Sequence, residues 1–103
     1  MQITVKYTGK NFFGFNEYME CTETFTEMTA RKAIAGLKKD QNLAVHISEG
    51  TENTAFYYDS WSDFDNGVVT VHHSQSYYNI DAPVKMSFSK ARKLAMDLLK
   101  KTA

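Results

Sequence analysis

The sequence predicts an α+β domain, an antiparallel sheet of about five strands with two helices packed on one face, in the order ββαβββα. Three observations carry this expectation. Apolar and polar residues alternate in several short runs, and apolar residues recur at helical spacing in two longer ones. Between two further runs stands Asn66-Gly67, the residue pair that suits a tight hairpin turn. With 103 residues, 43% of them hydrophobic and 23% charged, the chain reads as one domain spanning 1–103 that can bury a core of its own.

The first strand rests on Ile3, Val5 and Tyr7, which alternate with polar neighbours. "TGKNFFGFN" follows as a connection or irregular edge, because turn formers surround its three phenylalanines. Met19, Cys21 and Phe25 then share one face of a second strand, and the two strands are expected to form a hairpin. In "TEMTARKAIAGLKKDQN", Ala30, Ala33, Ile34 and Leu37 recur at helical spacing, with Thr26 or Thr29 as the cap. Leu43, Val45 and Ile47 mark a third strand, and "SEGTEN" a turn.

The run "FYYDSWSDFDNGVVTVHH", residues 56 to 73, carries five aromatics, three aspartates, two histidines and no basic residue. Read as a hairpin closed by a type I′ turn at Asn66-Gly67, it pairs Phe64 with Val69 and Trp61 with His72. Phe56, Tyr58 and Phe64 then face the core. Asp59, Trp61, Asp63 and Asp65 share the opposite face with His72, and Tyr57 extends that surface. "HSQSYYNIDAP" continues as strand and loop up to Pro83. "SFSKARKLAMDLLKK" closes the chain as an amphipathic helix, with Phe88, Ala91, Leu94, Ala95, Leu98 and Leu99 on its apolar stripe and Ser87 as N-cap.

Neither metal binding nor catalysis is expected. His72 and His73 are strand neighbours and point to opposite sides, so one ion cannot take both. His72 with Asp59 or Asp63 falls short of the four ligands of a structural zinc site. A histidine beside an aspartate is the start of a general base, but no activated nucleophile accompanies it; Cys21 reads as a small buried hydrophobe. None of the common phosphate-binding or hydrolase motifs is present, and the five glycines do not cluster. No catalytic residue, metal or cofactor is therefore assigned.

The single cysteine allows no internal disulfide, the start lacks the apolar core of a signal peptide, and no run is long enough to span a membrane. A cytosolic protein, complete from its initiating methionine, is the expectation. Net charge is zero, yet the charges are sorted. Residues 40–84 hold seven acids and no Lys or Arg, whereas residues 85–103 hold six basic residues against Asp97 alone.

A tryptophan on a solvent-side face among carboxylates points to an interface, since a rigid ring loses little entropy on docking and buried aspartates would need partners. The expectation is a non-enzymatic protein-binding module. Trp61 anchors a basic partner surface, Asp59, Asp63 and Asp65 form a charge-matching rim, and His72 and Tyr57 adjoin it. Basic protein surfaces are often nucleic-acid channels, and small anti-defence proteins of phages (anti-CRISPR or anti-restriction) and bacterial immunity proteins work by occluding such surfaces. That is an analogy of size and style, with no family motif behind it. The alternative is a nucleic-acid-binding protein using the basic helix faces, Lys90, Lys93, Lys100 and Lys101 with Arg31 and Lys32. A homodimer through an edge strand or exposed sheet face is a further expectation.

Overall fold

The computed structural model describes residues 2–10, 16–23, 27–75, 79–80 and 82–101, with side chains over 31–74 and 82–100. The chain forms β1 (Gln2–Lys10), β2 (Asn16–Glu23), α1 (Glu27–Leu37), β3 (Leu43–Glu49) and β4 (Glu52–Tyr57), then α2 (Trp61–Asn66), β5 (Val68–Gln75), β6 (Asn79–Ile80), β7 (Val84–Ser87) and α3 (Phe88–Lys101). The α+β class is the one expected. Among the described residues the order is ββαββαβββα, with seven strand segments and three helices in place of the expected five and two.

All pairings are antiparallel, and the strands lie in the order β2–β1–β3–β4–β5. The outer edge of β5 is shared: β7 pairs with Val68–Val71 and β6 with Ser74–Gln75. Val71 lies opposite Val84 and Ser74 opposite Ile80, so β5 advances three residues while its partner advances four. The extra residue falls in a stretch containing Pro83, which has no N–H to give a ladder.

Alternation decides which face is buried. Val45, Phe56 and Val71 form one row across β3, β4 and β5. With Ile47, Tyr58 and Val69 they meet Ile34 and Leu37 of α1 and Ala91, Ala95 and Leu99 of α3 in one buried cluster. Phe56, Leu37, Val45 and Val69 are fully buried, and each large side chain removed from water in this way contributes about 1.5–3 kcal/mol. Ala91, Ala95 and Leu99 are the buried residues of α3 among those described, and the two alanines are small enough to let the helix backbone lie close to the sheet. Ser87 stands just before α3, and its Oγ accepts a hydrogen bond from the N–H of Lys90 at 3.3 Å, as expected of an N-cap.

The chief correction concerns residues 58 to 67. They do not form a hairpin arm and turn; they form a crossing through a short helix. β4 stops at Tyr57, and β4 pairs β5 with Ala55 opposite His72 and Tyr57 opposite Thr70, so Trp61 has no cross-strand partner and does not face His72. The cause is local. Ser60 is extended (φ −154°, ψ 165°) and its Oγ accepts from the N–H of Asp63, which caps a helix start. Gly67 at φ 66° ends the helix, its N–H reaching the carbonyls of Asp63 and Phe64. Asn66-Gly67 thus supplies a helix C-cap rather than a type I′ turn. Two smaller corrections apply to the first half of the chain. β1 runs on to Lys10, and Thr29 lies inside α1 rather than at its cap. Thr26 and Phe25 lie outside the described residues.

Candidate functional site

The corner between β4 and β5 is built outward from the core by three rings. Tyr58 is buried, with 5% of its surface exposed, and Phe64 stands edge-on to it at 5.1 Å between centroids. Trp61 in turn stands edge-on to Phe64 at 5.8 Å and is 64% exposed. Tyr58 and Phe64 pack as expected of core residues, and they give Trp61 a rigid footing. Trp61 lies at the first position of α2, immediately after the Ser60 cap.

Charge around the indole is set by three aspartates and one lysine. Asp59 and Asp65 are exposed and Asp63 is partly buried. The Lys85 ammonium, reaching over from β7, donates a hydrogen bond to Asp63 Oδ2 at 2.8 Å and sits 3.7 Å from Asp59 Oδ2. The hydrogen bond that Lys85 donates to Asp63, followed by the charges of Asp63 and Asp59, holds the Lys85 pKa above its ordinary value of 10.5. Of the three aspartates expected to form a charge-matching rim, Asp63 and Asp59 face Lys85, and Asp65 has no share in that contact.

Tyr57 and His72 belong elsewhere. They stand on the sheet face opposite the helical layer, with Thr70 and Ala55 between them in register. This face is polar: the Asn53 amide meets His46 Nδ1 at 3.2 Å, and the Ser48 hydroxyl donates to Asn53 Oδ1 at 2.8 Å. His72 Nε2 and Thr70 Oγ1 are buried without a hydrogen-bond partner among the described residues. His72 is therefore not a neighbour of Trp61 across a strand pair, because that pairing depended on the hairpin register that α2 replaces.

The basic candidates stand on two helices of one layer. α1 and α3 touch each other on one side of the sheet, and the Lys38 ammonium lies over the Phe88 ring at 5.6 Å. Arg31, Lys32, Lys90, Lys93 and Lys100 are all exposed; the side chain of Lys101 lies outside the described residues.

On the helical side of the sheet, Thr54 Oγ1 and His73 Nδ1 are 3.0 Å apart in a shallow pocket with Glu49, Glu52, Ile47 and Leu98. Thr54 and His73 are directly opposite in the β4–β5 register, so this bond is a cross-strand pair, and Thr54 is only 6% exposed. Among the described residues, no group of three or more His, Cys, Asp or Glu side chains is placed to hold a metal ion. No helix among them is long and apolar enough to cross a membrane. In comparisons with known proteins, no family model, curated protein or solved structure matches this chain.

Two contributors escaped the sequence reading. Lys85 counts in the sequence only toward the basic charge of residues 85–103, although the alternation of Val84 and Met86 with Lys85 and Ser87 carries a strand signal. Ser60, three residues before Asp63, carries the N-cap signal for α2.

Proposed function

We propose that this protein is a non-enzymatic, cytosolic interaction module that docks the β4–α2 corner on a protein partner with a basic surface. It acts there as a small inhibitor or modulator, in the style of phage anti-defence and bacterial immunity proteins. The observation that supports this reading is the exposure of Trp61 at 64%, on a footing of Phe64 and Tyr58 rather than on a mobile stem. Large aromatic anchors set on rigid supports carry a disproportionate share of interface energy. Asp59 and Asp65 favour a cationic rim on the partner, and the ammonium of Lys85 fixes Asp63 so that it does not compete for it. Trp61 and the aspartates recognise; nothing at the corner needs to react.

The test is quantitative capture from the native host with the wild-type protein, Trp61→Ala and the double variant Asp59→Lys/Asp65→Lys, followed by reconstitution with the purified partner. Both variants should weaken the reconstituted complex, Trp61→Ala by at least 2 kcal/mol or roughly thirtyfold if it is a hot spot. A partner held equally well by all three proteins refutes the corner as the docking site.

A further inference from the structure

Among residues 31–40 and 88–100, eight basic side chains are exposed: Arg31, Lys32, Lys38, Lys39, Lys90, Arg92, Lys93 and Lys100. The exposed acids of the same segments are Asp40 and Asp97, so this part of the helical layer carries six positive charges in excess. Separation along the sequence does not by itself create such a surface. The fold creates it by laying α1 and α3 against each other on one side of the sheet, with the end of α1 at the start of α3, where Lys38 covers Phe88.

We infer that the outer faces of α1 and α3 form a docking surface for the phosphate backbone of duplex DNA, read by charge and not by base sequence. Ala91, Ala95 and Leu99 use the apolar stripe of α3 against the core, which turns Lys90, Lys93 and Lys100 to the outside. From Lys90 to Lys100 is ten residues, or about 15 Å of helix, over which one strand of a duplex presents about four phosphates. The lysines thus meet a ladder of anions of matching length. An anionic membrane is the poorer fit, because a helix that settles on lipid needs its apolar face free, and that face is spent on the sheet. This surface is distinct from the Trp61 corner and does not depend on it.

The experiment is fluorescence anisotropy with a labelled random-sequence 20-base-pair duplex, using the full chain at 50 and 200 mM salt. Neutralising four to six phosphates gives a log–log salt slope of about −4 to −5, so affinity should fall roughly 10²- to 10³-fold between the two salts. Lys90→Glu/Lys93→Glu/Lys100→Glu should abolish binding. The milder Lys90→Gln/Lys93→Gln/Lys100→Gln should weaken it and flatten the slope, with circular dichroism confirming that both variants fold. Trp61→Ala should bind the duplex as the wild type does. The inference is overturned by absence of duplex binding at 50 mM salt, by binding indifferent to either triple variant, or by tighter binding to phosphatidylserine-containing vesicles than to the duplex.

Discussion

Lys85 Nζ donates to Asp63 Oδ2 at 2.8 Å, which ties strand β7 to helix α2 across 22 residues of sequence. The contact holds the Lys85 pKa above 10.5, chiefly through the Asp63 hydrogen bond. A raised pKa means that the folded state binds the proton more tightly than the unfolded chain. Its stabilisation is therefore complete below 10.5 and is lost as pH rises through the folded value. Lys85→Met should lower the melting temperature at neutral pH, and the gap to the wild type should narrow once pH passes 10.5. Melting curves at neutral and strongly alkaline pH check this; a gap that does not change with pH would show that the ammonium contributes packing rather than charge.

Tyr58 gives a second alkaline signature with a different cause. Burial of its phenol raises its pKa above 10.0 by penalising the phenolate. Below 10.0 the folded and unfolded chains both hold the proton. Above it the unfolded chain ionises first, and stability falls until the folded value is passed. Tyr58→Phe should blunt that fall while leaving Phe64 packed. Urea denaturation on either side of pH 10.0 compares the two proteins.

Trp61 is the only tryptophan, so fluorescence excited at the red edge, where the tyrosines do not absorb, reports on the corner alone. Emission of the native protein should lie close to that of the unfolded chain, and iodide should quench it readily. Trp61→Ala should cost about 0.5–1.5 kcal/mol of stability, the worth of its edge-on contact with Phe64, and leave the core packed. A loss of several kcal/mol on chemical denaturation would place the indole in the interior.

Gly67 and Phe56 separate backbone strain from packing. A Cβ at Gly67 meets nothing within 4 Å, so Gly67→Ala suffers only from φ 66° and should lose about 1–2 kcal/mol. Gly67→Asn should lose less, because asparagine tolerates this conformation. Phe56→Ala, at a site 1% exposed, should lose about 3–5 kcal/mol. Urea denaturation ranks the three.

Most of the fold was legible because periodicity encodes faces. Val45, Phe56 and Ala91 each sit where their spacing put them, and β1, β2, β3, β5 and both longer helices follow; β4 spans Glu52–Tyr57, starting inside the stretch read as the turn "SEGTEN" and ending before most of the strand expected there. What failed was the stretch around Asn66-Gly67. A type I′ turn and a helix C-cap both need a positive φ at Gly67, so the dipeptide cannot tell them apart; Ser60 capping Asp63 decides it. β7 was missed because four residues allow only two cycles of alternation, and its pairing with β5 is a long-range event. Of the candidate site, the outward position of Trp61 was legible, but through a strand that does not exist. The neutralisation of Asp63 was not, since Lys85 is 22 residues away and reaches it only after β7 docks.

The split outer border of the sheet has a consequence for behaviour at high concentration. Its two segments are two and four residues long and out of step by one, with a proline near the break. A strand arriving from another molecule would find no uninterrupted ladder there longer than four residues. Fibril-like stacking needs a long, straight template, and along this border the chain withholds one.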